Sequence, residues 1–319
     1  MKTIQYLPVD IFGSVMGMSA LSMAWIVSTH FYVSYVYAAL AVITFIFGCI
    51  VFILKFTNKT CFTTLKEDFM DKSQKPFYST FCIACLLLPN LIHRFVPTLS
   101  YYLWIFGIVT IFIFSTYITL MWFNTRHTFK NLTGGVVVPL VGLLNISSAL
   151  PLFKTPFFSD LSIISISIGV VFAVPIISIL IIRIMYINIP MSRKAAKFNG
   201  SLAIISAPFC VIFIALEGIA NINYISYGLF YSAFFIFVAL SPRIIKMLIS
   251  PFKFPLWRTS FPIGLLAICA IKLHHFEPDN IFLTVFSYFL LYLATVVISY
   301  YFIMTFYAIV IKRDIRIIL

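Results

Sequence analysis

Residues 255–272 read P-L-W-R-T-S-F-P-I-G-L-L-A-I-C-A-I-K. Between Arg258 and Lys272 the stretch is uncharged and apolar, which predicts a helix at membrane depth. Phe261 and Pro262 stand side by side near its basic start, where Lys253 and Arg258 lie. A proline within a membrane helix frees a backbone carbonyl and bends the axis, which is tolerated where the freed group faces protein or a water-filled cavity. A flat apolar ring beside such a bend can plug a narrow passage by excluding water. The competing reading is core packing, the ordinary fate of a phenylalanine in a chain with 36 of them.

Outward from this stretch the chain keeps the same character. Of 319 residues, 62% are hydrophobic and 10% charged, far below the quarter or so charged in ordinary soluble domains. Residues 11–54 contain no Asp, Glu, Lys or Arg, and neither do residues 280–311. Long continuous apolar runs predict spanning helices and not the short alternating segments of a membrane β-barrel. Ten such runs are expected, near 8–28, 33–55, 77–95, 99–123, 135–153, 160–187, 198–217, 222–248, 257–275 and 279–311. Lys2 followed by an apolar run without a clear cleavage site reads as a retained first span.

The net charge of +13 raises nucleic acid as a partner, but its placement argues for a bilayer instead. Basic residues gather in alternate connections: Lys55, Lys59, Lys66, Lys72 and Lys75; Arg126 and Lys130; Arg183, Arg193, Lys194 and Lys197; Arg243, Lys246, Lys253 and Arg258. With Lys2 and the tail residues Lys312, Arg313 and Arg316, 19 of the 22 lie on one side, leaving Arg94, Lys154 and Lys272 for the other. The positive-inside rule then places both termini in the cytoplasm of a cell whose inner membrane holds the chain.

The odd-numbered segments carry the helix breakers: Gly13 and Gly17 in the first, Pro89 in the third, Pro139 in the fifth, Pro208 in the seventh and Pro262 in the ninth. The even ones are longer and greasier, with Pro175 an exception. The arrangement expected is an all-α membrane protein forming a single domain over 1–319. Five helical hairpins each give one broken helix to a central pore and one apolar helix to the periphery.

Charged chemistry at membrane depth is scarce. Asp10 is expected near the inner end of the first span, and Arg94, Glu217 and Lys272 near the outer ends of the third, seventh and ninth. A proton-coupled carrier ordinarily buries a carboxylate or histidine relay, so passive conduction is the favoured reading, with Asp10 the one group that would serve coupling. Arg94, Arg258 and Lys272 are candidates for attracting anions, or else interface anchors. Ser14, Ser147, Ser206 and Ser260 offer hydroxyl donors, to a passing anion or to neighbouring helices. His274, His275, Glu277 and Asp279 gather in the last outer loop, but adjacent histidines do not share a helix face and no metal is expected there. Cys82 and Cys85 form a C-x-x-C inside a span, where neither a disulfide nor a redox role is expected. No cofactor is implied, and no nucleophile–base constellation suggests an enzyme.

Four motifs add a resemblance. Y-L-P-V-D-I-F-G-S-V-M-G-M-S-A-L-S-M-A-W (6–25), V-P-L-V-G-L-L-N-I-S-S-A-L (138–150) and S-A-P-F-C-V (206–211), together with W-R-T-S-F-P (257–262), resemble the tellurite-resistance/dicarboxylate transporter family. That family includes the TehA-like bacterial proteins, the plant slow anion channels and fungal malate and sulfite exporters. The resemblance implies ten helices around an anion-conducting pore, a homotrimer with one pore per protomer, and a ninth-helix phenylalanine gate, here Phe261. It implies passage of small inorganic or carboxylate anions; the alternative is a coupled secondary exporter of dicarboxylate, tellurite or sulfite. Two positions depart from the family's bacterial pattern: Val15, where proline is frequent, and Val174, where a glutamate precedes the proline.

Overall fold

The computed structural model describes residues 5–125, 132–186, 200–219, 222–249 and 252–311, and among them helices are the only regular elements. In order they are α1 (Ile11–Val27), α2 (Phe31–Thr57), α3 (Lys59–Met70), α4 (Lys75–Ile92), α5 (Pro97–Asn124), α6 (Gly134–Leu152), α7 (Pro156–Tyr186), α8 (Leu202–Glu217), α9 (Tyr224–Ile249), α10 (Phe254–Phe276) and α11 (Ile281–Ile311). Eight of them, α2, α4–α7 and α9–α11, are long and apolar enough to cross a membrane; α1 and α8 are shorter apolar helices. Of the basic residues used to orient the chain, Lys2, Arg126, Lys130, Arg193, Lys194, Lys197, Lys312, Arg313 and Arg316 lie outside the described residues.

Burial divides these helices into two populations. In α2, α5, α7, α9 and α11 only 22–39% of the most apolar stretch is buried, although the sequence there is almost wholly hydrophobic. Ile43, Ile46, Ile50 and Ile53 of α2 are all exposed, a surface that water would not tolerate and lipid tails would. In α4, α6 and α10 the buried share is 78%, 78% and 100%. Thirteen of the seventeen residues of α1 are buried as well, as is every residue of Leu202–Ser206 in α8. The segments carrying the sequence's glycine and proline breaks are therefore the buried ones. Pro175 and Pro242 lie inside exposed helices and fall outside that pattern.

The breaks act differently from simple mid-span kinks. α4, α6, α8 and α10 each begin with a 3₁₀ turn, at Lys75–Tyr78, Gly134–Val136, Leu202–Ser206 and Phe254–Thr259, before turning α-helical. Pro139, Pro208 and Pro262 fall in the first α-helical turn after it. The 3₁₀ turn before each supplies carbonyl acceptors, so a proline there leaves one of them without its helical donor. Pro89 opens a last short turn at the other end of α4. α6 returns to 3₁₀ geometry over Leu143–Leu152, a long run for a helix type whose stretches rarely exceed three or four residues.

Irregular backbone at membrane depth needs donors from elsewhere. α5 supplies three: Ser100 Oγ donates to Pro89 O (3.2 Å), Trp104 Nε1 to Ile146 O (3.3 Å) and Ser115 Oγ to Pro139 O (2.6 Å). From α11, Thr305 Oγ1 accepts from Trp257 Nε1 at 2.8 Å, and Tyr301 shares a 2.8 Å bond with Thr259. The greasy helices thus hold the broken ones by polar contacts that their composition does not advertise. α3 is an unforeseen element in the loop after α2, capped by Asn58, whose side chain accepts from the amides of Thr60 and Cys61.

Candidate functional site

Along the axis of the buried helices lie two cavities. The first, about 50 Å³, is lined by residues at the start of all five: Asp10, Gly13 and Met16 of the α1 end, Phe77, Thr80 and Ile83 of α4, Val138 and Val141 of α6, Ala207 of α8, and Arg258 and Phe261 of α10. The second, about 10 Å³, continues with Ala20 and Met23, Leu87, Ser148, Ile214, and Leu265 and Ile268. On α10 the lining residues 258, 261, 265 and 268 follow the three- and four-residue steps of one helix face. Phe261, Asn145 and Val211 border both cavities. A single water needs about 10–15 Å³, so the second cavity holds one at most.

Gly13 and Gly17, one turn apart on α1, do different work. A Cβ at Gly13 would meet nothing within 4 Å, and the position faces the larger cavity. A Cβ at Gly17 would overlap Ser260 Oγ, so Gly17, like Gly264 against Ala20, is a position of close contact between α1 and α10.

The candidate anion-attracting residues are partnered. Arg258 Nε and Nη2 donate to the two oxygens of Asp10 at 2.9 and 2.8 Å, and Nη2 also donates to Gln74 Oε1 at 2.9 Å. The guanidinium carbon sits 3.7 Å from the centroid of the Phe77 ring. Both side chains of the pair are buried. Asp10 occupies the N-cap position of α1 yet makes no capping bond; its carboxylate is given to Arg258. Lys272 and Glu217 pair at 2.6 Å at the opposite end of α10. Each pairing cancels most of the field its basic residue would otherwise project. Arg94, exposed, donates to Tyr35 at 2.7 Å.

The hydroxyls fare similarly. Ser14 donates to Ile11 O (2.6 Å), Ser206 to Ala203 O (2.8 Å) and Ser260 to Trp257 O (2.6 Å), each three residues back in its own helix. A hydroxyl has one proton, so these three have none left for an anion. Ser147 Oγ is buried without a hydrogen-bond partner. In the loop after α10, Tyr227 and Asn280 donate to Glu277 and hold its carboxyl below the usual range. The cysteines are free.

Sequence reasoning placed Asp10 and Arg258 separately and did not join them. A signal was present: Asp10 precedes the break at Gly13 by three residues, and Arg258 precedes the break at Pro262 by four. Aligning the buried segments on these breaks sets the two charges within one residue of the same level. Gln74, Phe77, Thr80, Asn145 and Val211 were not singled out.

The sequence profile of the family described as voltage-dependent anion channel (SLAC1) matches residues 6–306. The chain belongs to the voltage-dependent anion channel family. A comparison with curated proteins finds none that matches. Family membership supports transport of small anions.

Proposed function

We propose that the chain is an anion channel or uniporter of the inner membrane, with both termini cytoplasmic, passing small inorganic or carboxylate anions through an axial pore that the Phe261 ring closes. The observation that carries the reading is that Phe261 borders both axial cavities. Steric block and dewetting at an apolar constriction are a known means of closing a pore. Opening is a rotation of the ring, or a movement of α10 where its 3₁₀ turn meets the α-helix. The protein is not an enzyme in this reading, and the family resemblance favours a homotrimer with one pore per protomer.

Ten spans in five hairpins fit the same proposal. α1 has 17 residues, and α8 has five in 3₁₀ and eleven in α geometry. At about 1.5 Å per α residue and 2.0 Å per 3₁₀ residue each is roughly 26 Å long, close to the hydrocarbon thickness of about 30 Å. Surrounded by longer helices, such lengths suffice to span.

The test is current across a planar bilayer, wild type beside Phe261→Ala, with anion and cation gradients imposed separately. An anion-selective current in the variant at least about tenfold larger corresponds to removal of about 1.4 kcal/mol of barrier. Unchanged current in folded protein removes the gate. Silence in both favours the second reading, coupled export of dicarboxylate, tellurite or sulfite, which Asp10 in the cavity wall supports. A proton-dependent flux abolished by Asp10→Asn would then establish it.

A further inference from the structure

The arrangement around Arg258 is that of an occupied anion site. Two edge nitrogens of the guanidinium hold both oxygens of one carboxylate, at 2.9 and 2.8 Å. This fork reads a planar oxyanion at two points, which a spherical halide cannot match. The guanidinium is also held independently of that carboxylate, by the Phe77 face at 3.7 Å and by Gln74 Oε1 at 2.9 Å. The site therefore keeps its shape when its occupant changes. It opens on the larger axial cavity, which Arg258, Asp10 and Phe77 all line.

The occupant has somewhere to go. Asp10 also lines a more polar side cavity of about 160 Å³, walled by Tyr6, Thr64, Gln74 and Tyr78 and by Asp68. Its carboxylate is released from the capping duty an N-terminal aspartate usually performs.

We propose that Arg258 is a binding site for small planar oxyanions, carboxylates and nitrate, in this pore, and that Asp10 is a tethered substitute for the ion. Between ions Asp10 fills the fork, because a buried guanidinium without an anion is strongly unfavourable. An arriving oxyanion takes the fork while Asp10 turns into the side cavity. Away from the guanidinium the carboxylate loses both of its charge-assisted donors, which returns Asp10 once the anion moves on. The inference rests on the reading of the axial cavity as an anion path.

The experiment is thermal unfolding of the purified full chain in detergent, titrated with sodium nitrate, formate or chloride. Ionic strength is held with the sodium salt of a bulky buffer sulfonate. Asp10→Asn is expected to melt below wild type in the sulfonate alone and to be restored by nitrate. Its half-effect should come at a concentration at least about tenfold lower than in wild type, since the fork no longer has a competitor. Formate should act like nitrate, and chloride more weakly. The double variant Asp10→Asn, Arg258→Gln, with a neutral pair in place of the charged one, should show no nitrate-specific response. A response of Asp10→Asn no larger than that of the double variant, or equal stabilisation by chloride, overturns the site. If Asp10→Asn does not fold, wild type against the double variant decides by the same criterion. Nitrate current through Phe261→Ala without Arg258-dependent binding overturns this site and leaves the channel. Arg258-dependent binding with no current in wild type or Phe261→Ala supports the site and overturns the channel.

Discussion

Two ion pairs tie the ends of α10 to its neighbours, and water reaches only one of them. Arg258 and Asp10 have side chains 2% and 6% exposed; Lys272 and Glu217 have side chains 23% and 26% exposed. The separations, 2.8 and 2.6 Å, are nearly the same. Solvation makes the difference. The buried pair has given up its hydration and is stable only because every oxygen of Asp10 meets a donor and Gln74 takes another hydrogen of Arg258. The rim pair exchanges its partner for water at little cost. One pair positions α1 against α10 beside the larger axial cavity; the other is a contact at the far end of α10.

The largest expected effect breaks the buried pair. Arg258→Leu leaves the Asp10 carboxylate buried without its counter-ion, with an expected loss of about 3–5 kcal/mol, read as a lower thermal midpoint or loss of folded protein in detergent. A loss no greater than that of a Lys272 variant would mean that the two ends are alike. Next comes the helix contact that holds the buried pair together. Gly17→Ala drives a Cβ into Ser260 Oγ, and relief by shifting α1 or α10 should cost about 1–3 kcal/mol. Gly13→Ala is its control, because no atom lies within 4 Å of the added carbon. That variant should be neutral or gain about 0.4–1 kcal/mol, while a smaller anion current reports the narrower cavity. Equal destabilisation at the two glycines would deny that α1 meets α10 at Gly17.

Much of this architecture was readable from the sequence. Proline and glycine marked the segments that prove to be buried, because irregular backbone survives at membrane depth only against protein. Their local geometry was not readable, since a 3₁₀ turn and an α turn draw on the same residues, so Pro139, Pro208 and Pro262 looked like kinks. Nor did composition reveal that Ser14, Ser206 and Ser260 spend their protons on carbonyls three residues back, a bond that only the helical geometry creates. Arg258 and Asp10 lie 248 residues apart. In the sequence Asp10 reads as a group that could serve coupling and Arg258 as an anion attractor or interface anchor, and pairing is a property of the assembled bundle.

The smallest expected effect tests the contrast most directly. Lys272→Gln removes a charge from a pair with both members about a quarter exposed, where ion pairs contribute about 0.2–1 kcal/mol. Screening should erase even that, because the Debye length falls from about 10 Å at 0.1 M salt to about 3 Å at 1 M. The midpoint difference from wild type should therefore shrink between these two salt concentrations, with the bulky sulfonate as the added anion. The deficit of Arg258→Leu should stay the same, since the bulky sulfonate does not enter a site closed by Asp10, Gln74 and Phe77. If salt erased both deficits, Arg258 would be in contact with bulk solution. The fork would then compete for anions against free water, and the Phe77 face and the Asp10 tether would offer a passing ion no particular place to stop.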